Sequence, residues 1–401
     1  MTLVEDRQSA SSRRAIACSL YPLAEWITYN WWFLQSGIRS ASSTTALRAG
    51  RLSGDSNRIW QRHCLRAAGD GFLWPNMFLL PEDSNTRLLW LSDRGHVENR
   101  PIRFLTQGET VVDSKGLQQV LGGLVEEVIA RLSDLGIEST RLHEEWAAIQ
   151  ETDPEEAAYC FAAARLGLDP YSEAAKYESG ILQAADELEA ELLNDFLSAV
   201  SPEKIVEDLR WVAAAGSEIE RMTSTRGGDL EALSAEVLKR TEPGPPTLWR
   251  RGYADAQALR RTLGLDSTAF FSFAEYLDEA VVPAPDRGLQ AAGGSRDHLS
   301  SRVVLGRQQR ESSARFTLAR ALWNILFRPR KRFLVTQGQT TRQKIERAFA
   351  AELLAPAEGI AKIIDGPPYE IGMDEFEASE AHFGVSPLII KHQIENQLTP
   401  L

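Results

Sequence analysis

The sequence predicts a helix-dominated α+β protein. Three observations carry that prediction. From 106 to 224 most apolar residues recur at helical steps between acidic ones. Two short apolar runs, FLWPNMFLLP and RLLWLSD, are separated by Glu82 to Thr86, the layout of a β-hairpin or small sheet. Toward the C-terminus, RVVL at 302–305 and FLVT at 333–336 bracket a helix-length apolar segment, Arg315 to Phe327. FLVT is either a short strand or part of a connector.

At 401 residues the chain exceeds one ordinary core. Three domains are expected: an N-terminal α+β module over 1–105, a helical domain over 106–240 and a C-terminal domain over 241–401 with a small sheet. Leu20 to Ile38 comes nearest to a membrane span, but Glu25, Asn30 and Gln35 interrupt it. Met1 to Arg14 lacks the basic-then-apolar layout of a secretory signal. The cysteines Cys18, Cys64 and Cys160 stand far apart without CxxC spacing. That argues against a disulfide framework or a thiolate zinc site and points to the cytoplasm. A net charge of −12 excludes a protein that coats nucleic acid with its whole surface. The segment 302–347 runs the other way, with Arg and Lys throughout against only Glu311 and Glu346.

In chain order, residues 1–18 are rich in Ser, Arg and small residues and are expected to be disordered or loosely attached. Leu20, Leu23, Trp26, Ile27, Asn30 and Trp31 recur at helical steps and predict a buried helix with an aromatic face. Trp26, Trp31 and Trp32 are read as core packing, with an aromatic ligand cage as the alternative. Residues 40–57 predict a loop, and Ile59 to Ala68 a short helix. His63 beside Cys64 offers two metal-ligand types, but nothing near completes a site. Leu117 to Leu135 is an amphipathic helix with Gly136 as its cap. His143-Glu144-Glu145-Trp146 begins like a zinc-protease helix, yet Ala147 stands where the second histidine belongs, so a solvated helix start is expected. Asp153 and Pro154 open another helix, with Tyr159, Cys160 and Phe161 in its core face. Further helices are expected at about 172–199 and 202–215. Gly227-Gly228 and the later EPGPP mark a break over 225–248. GYADAQALRRTLGL forms a helix capped by Gly264, and the stretch from there to Ser300 is expected to be poor in strands.

Within the apolar segment 315–327, Thr317, Arg320 and Asn324 recur at steps of three and four and form one polar stripe. Such a stripe on a buried helix faces a partner or a cavity. RFTLARALWNIL at 315–326, ERAFAAELLAP at 346–356 and the FGVS-containing segment 380–398 follow in order. On these motifs the region 247–401 resembles the ImmA/IrrE family of zinc metallopeptidases. The resemblance implies a zincin-like C-terminal domain, with a helix of the form RFTLAHELGHLL and a later helix supplying an acidic ligand. Two histidines at i and i+4, a glutamate base after the first, and a third ligand make that chemistry.

Here Arg320 and Asn324 stand at the histidine places and Ala321 at the base. The acidic-ligand place falls on Ile345 by alignment to Phe349 and Ala350. Gln343 lies nearby, as does Glu346, which a step of 100° turns off the expected face. A guanidinium offers only donors and cannot ligate a cation. The resemblance therefore implies a pseudo-site without zinc or other cofactor, lined by Thr317, Arg320, Ala321, Asn324, Gln343, Ile345 and Glu346.

Three outcomes are open for the pseudo-site. Arg320 pairs with Glu346 or Glu352 and closes the cavity. Alternatively, Arg320, Asn324, Arg342 and Gln343 bind an anion or a peptide carboxylate. The last is a metal site reassembled from His298, His382, His392 and nearby acids. For function, the resemblance implies an inactive module that holds a protein partner, such as a helix-turn-helix regulator, in a stress, mobile-element or toxin–antitoxin context. The alternatives are a metallopeptidase with unusual ligands and a nucleic-acid-binding component working through 302–347. For those basic residues the structural alternative is docking onto the acidic block 140–220 of the same chain.

Overall fold

The computed structural model describes residues 3–37, 55–82, 84–93, 101–223, 230–241, 248–285, 287–294, 301–307, 310–328, 332–338, 340–364 and 372–399. It is helix-dominated with small sheets, an α+β architecture. The chain divides into two compact units, Met1–Leu182 and Gln183–Leu401. The expected helical middle is therefore shared between them. The expected loop over 40–57 lies outside the described residues up to 54, and the Gly-Gly and EPGPP breaks lie outside them too. Leu230–Arg240, between those breaks, is helical.

The first unit opens on β1 (Val4–Asp6) and β2 (Ser11–Arg13), an antiparallel pair where disorder or loose attachment was expected. β3 (Met77–Glu82) and β4 (Asn85–Trp90) form the anticipated hairpin. β5 (Ile102–Phe104) pairs with β1, and β6 (Gly108–Asp113) with β4, so the unit holds two three-stranded antiparallel sheets. Composition misled at β1 because its pairing partner lies far along the chain and buries Val4. The Trp-rich helix breaks at Asn30 into Tyr21–Tyr29 and Trp31–Gln35. Trp31 meets Trp146 edge to face at 4.9 Å, and Trp32 meets Phe161 at 5.1 Å. The three tryptophans fill the core around Ala24, Ile27, Val125 and Leu142, whereas Phe161, expected in the core face, is 36% exposed. Asp113 caps Ser114–Asp134 by accepting from Gly116 N, and Gly136 follows with a φ of +74°. Asp153 accepts from Glu155 N and Glu156 N at the start of Pro154–Arg165.

The second unit is built around a mixed four-stranded sheet. Its strands are β7 (Asp278–Val281), β8 (Leu289–Gly293), β9 (Arg302–Leu305) and β10 (Phe333–Thr336), in the order β10-β8-β9-β7. β7 runs parallel to β9, while the other pairs are antiparallel. β7 and β8 correct the expectation of a strand-poor stretch. DEAV and LQAAG carry little β-propensity, and neighbouring strands rather than side-chain type place them in the sheet. Between β9 and β10 lies the helix Glu311–Phe327, in which every residue from Thr317 to Leu326 is buried. After β10 comes Thr341–Leu354, packed against Leu248–Thr262. Buried Gly252 makes that closeness possible, since a Cβ there would meet Ile345 O, Ala348 Cβ and Phe349 N. The expected helix at 172–199 is two helices, Glu178–Glu187 and Ala190–Leu197, and Ile205–Arg221 follows.

Candidate functional site: a buried arginine–glutamate network

A helix buried on every side must partner each polar group it carries. Arg320, 1% exposed, does so with three neighbours. Its Nε donates to Glu346 Oε1 at 3.1 Å, its Nη2 to Thr336 O at 2.7 Å and again to Glu346 Oε1, and its Nη1 to Gln290 Oε1. One turn on, Asn324 Nδ2 donates to Glu346 Oε2 at 2.7 Å and to Arg320 O at 3.0 Å. Thr317 turns its hydroxyl back to Ser313 O in its own helix.

The second helix supplies the carboxylate and another guanidinium. Thr340 caps it, accepting from Gln343 N. Arg342 and Glu346 stand at i and i+4, and Arg342 Nη1 donates to Glu346 Oε2 at 3.2 Å and to Asn324 Oδ1. Arg342 Nη2 reaches Asp195 Oδ2 at 2.5 Å and Leu334 O at 3.1 Å. Gln343 Nε2 donates to Thr336 Oγ1 at 2.6 Å and to Asp195 Oδ1 at 3.4 Å. Burial alone would push the Glu346 carboxyl up; Arg320 and Arg342 beside it and the Asn324 amide more than offset this and hold it below the usual carboxylate range. Arg347 donates to Gln343 O, Thr336 O and Gly338 O. Burial and the neighbouring Arg320 pull its guanidinium down to about 9.

Of the expected lining, Arg320, Asn324, Gln343 and Glu346 come together. Ala321 and Ile345 do not, since both pack in the apolar core. Ile345 is thus a correction: Glu346, set aside as turned off the face, is the central carboxylate. The observed rotation of the helix keeps isoleucine among aliphatic side chains and places glutamate between two guanidiniums, and the opposite rotation would strand both. Of the two carboxylates considered for Arg320, it takes Glu346. Glu352 instead accepts from Gln257, Gln393 and Gln397 side chains and from Ala357 N. Residues that sequence reasoning missed are Asp195, Gln290 and the carbonyls of β10.

Those carbonyls matter for what the unit can hold. β10 is an edge strand. Leu334 O is taken by Arg342 and Thr336 O by Arg320 and Arg347. A peptide adding to that edge would have to displace guanidiniums. Beside the network lies a cavity of about 510 Å³, lined by Glu187, Glu189, Leu192, Asp195, Asn324 and Arg342, among others.

Much of the basic segment is internal. Arg315, Arg320 and Arg342 are buried. Arg315 donates to Phe271 O and lies 3.9 Å over the Phe270 ring. Arg328 pairs with Glu191 at 3.4 Å, Arg332 with Glu220 at 3.0 Å, and Arg302 donates to Ile219 O. Arg328, Arg332 and Arg342 thus pair with carboxylates of the acidic block, as the structural alternative has it, whereas Arg315 and Arg320 bond outside that block. Arg330 and Lys331 lie outside the described residues.

The residues do not fit zinc. Arg320 is itself a cation, both Glu346 oxygens accept from protein donors, and Asn324 Oδ1 accepts from Arg342. Among the described residues no group of three His, Cys, Asp or Glu could hold a metal ion. His298 lies outside the described residues. His382 Nε2 is bonded to Thr268 O, and no metal group includes it or His392. His63 is buried against Leu79 O and pulled down to about 4 by that burial, while burial pushes the Cys64 thiol up to about 12. At neutral pH the Cys64 thiol thus stays protonated, and the neutral His63 ring is held in the core against Leu79 O.

No helix among the described residues is long and apolar enough to cross a membrane. Comparison of the chain with protein-family models, curated proteins and solved structures finds no match.

Proposed function

We propose that the second unit is a non-hydrolytic module that holds a protein partner, an ImmA/IrrE-like pseudopeptidase in regulatory use. The observation that carries this reading is the Arg320–Glu346 pair. It puts a donor-only side chain where a first metal ligand would stand and engages the nearest carboxylate. Ala321, at the place of the base, has no atom that takes a proton. With the edge of β10 covered, the partner segment enters the cavity between Ala190–Leu197 and the network, against Leu188, Leu192 and Phe333. A helix-turn-helix regulator is the partner class that the resemblance offers.

The test combines two measurements on the full chain. Labelled casein incubated with added zinc or with chelator is expected to stay intact in both, and hydrolysis that needs zinc would sink the proposal. A photo-crosslinking residue at Glu189, introduced in the native cell, is expected to give one discrete adduct. Leu192→Trp, which fills the cavity, is expected to abolish it. No adduct, or one that survives the filled cavity, moves the partner elsewhere and overturns the assignment.

A further inference from the structure

We propose that the first unit carries a small-molecule site for a monocyclic aromatic carboxylate, in a cavity walled by Trp31–Gln35, β4, Ser114–Asp134 and Pro154–Arg165. The site lies wholly within that unit and does not draw on the partner-binding reading of the second.

The cavity measures about 170 Å³. One of ~150 Å³ holds a benzene ring, so a single ring with a short polar head fills this one. Pockets for drug-sized ligands start at about 300 Å³, which excludes a nucleotide or a peptide here. Trp31, Leu34, Leu121 and Phe161 form the apolar wall. Two of these are aromatic, and a ring packs against such walls edge to face or offset. The polar side offers donors and holds no anion. Lys115 is the one charged residue lining the cavity; it is exposed, and its ammonium has no partner among the described residues. The Gln118 side-chain amide, on the same wall, has none among them either. Thr86, 1% exposed, shares one hydrogen bond with Ser114, Oγ1 to Oγ at 2.8 Å. Two hydroxyls that share one bond leave one proton over, and it has no acceptor among the described residues. The adjacent carboxylate, Asp113, is not on the wall and accepts from Gly116 N. An ammonium, an amide and a spare hydroxyl proton beside a ring-sized apolar space suit a carboxylate on an aromatic ring.

The experiment is a calorimetric titration of benzoate into purified full-length protein, with benzyl alcohol and benzylamine as neutral and cationic counterparts. Wild type is expected to bind about one benzoate per chain with a Kd of about 0.1–1 mM, in keeping with so small a ligand. Benzyl alcohol should bind about fivefold more weakly, and benzylamine at least about tenfold more weakly. Lys115→Ala should weaken benzoate about three- to fivefold and leave benzyl alcohol unchanged. Leu121→Trp, which fills the cavity, should abolish binding of both.

No benzoate binding at ~10 mM overturns the proposal. So does benzyl alcohol or benzylamine binding as tightly as benzoate, since the donors would then select no anion. Unchanged benzoate affinity in Lys115→Ala, or in a folded Leu121→Trp, places the ligand elsewhere and overturns it too. Lys115 is exposed, so its variant keeps the fold and decides the matter if Leu121→Trp does not fold.

Discussion

Arg320 brings both Nε and Nη2 onto a single oxygen of Glu346, Oε1, which leaves Oε2 for Asn324 and Arg342. The carboxylate, 0% exposed, thus receives donors from three side chains on two helices. Removing one partner of such a pair strands the other in a low-dielectric interior. Arg320→Met is expected to destabilise the second unit by about 3–5 kcal/mol in urea unfolding. Adding Glu346→Gln should recover at least ~1 kcal/mol, because the stranded charge is then gone. Strict additivity of the two would mean the pair is not coupled. The Glu346 carboxyl is depressed in the folded state, so its stabilising contribution is present above the ordinary value of 4.5 and is lost as pH falls through the folded value.

Asp195 sits 147 residues before Arg342 in sequence and holds it from the facing helix at 2.5 Å. It also accepts from Gln343. Asp195→Ala leaves Arg342 with Glu346, Asn324 and the Leu334 carbonyl, so a loss of about 2 kcal/mol is expected, below that for Arg320→Met. Hydrogen exchange should speed up in Ala190–Leu197 and in the first turns of Thr341–Leu354, while Glu311–Phe327 stays protected. Equal acceleration everywhere would mean that Asp195 supports the whole unit instead of latching one helix.

The sequence carried the helical frame well. Asp153-Pro154, Gly136 and Gly264 mark local events, since each cap is decided by the residues beside it. The stripe of Arg320 and Asn324 was legible because helical spacing fixes which residues share a face. Pairing across elements was legible only where few candidates existed: Arg320 had two carboxylates to choose from in the following helix, and one is its partner. Asp195 and Gln290 carry no such signal, because their places depend on how separate elements dock. β7 and β8 were hidden for a related reason, being Ala- and Gly-containing segments that long-range pairing alone defines. The same distance effect bears on β1 through its pairing with β5, whereas its pairing with β2 is a local hairpin hidden by a Ser- and Arg-rich composition.

His63 gives the first unit a pH dependence of its own. Its ring is buried, bonded to Leu79 O, and titrates at about 4 against an ordinary 6.5. Between those values the unfolded chain binds the proton and the folded chain does not, so stability falls as pH is lowered through that window. The loss reaches about 3 kcal/mol and levels off below it. His63→Gln, which can still donate to Leu79 O, should flatten the profile between about pH 6.5 and 4. Urea midpoints of the first unit across that range check this, and an unchanged slope in the variant would assign the dependence to another group.

Burial of Arg315, Arg320 and Arg342 and the pairing of Arg328 and Arg332 leave few of the described basic residues of 302–347 for phosphates. Binding to a short DNA duplex is therefore expected to be weak at low salt, with a log–log salt slope shallower than about −2. A steeper slope would restore the nucleic-acid reading for this segment.

Two glycines in helix interiors should respond to alanine in opposite ways. At Gly123, within Ser114–Asp134, an added Cβ meets nothing within 4 Å. Gly123→Ala should therefore stabilise the first unit by up to ~1 kcal/mol through backbone propensity alone. At Gly252 a Cβ would lie 2.7 Å from Ala348 Cβ, 2.8 Å from Phe349 N and closer still to Ile345 O. Two of these are backbone atoms of Thr341–Leu354 and cannot swing aside. Gly252→Ala must push that helix outward, at about 1–3 kcal/mol, against the propensity gain. Because Ile345 immediately precedes Glu346, the displacement also lengthens the Arg320–Glu346 contact. Gly252→Ala and Arg320→Met should then be less than additive in urea unfolding. Full additivity would show that the helix contact at Gly252 does not set the position of Glu346.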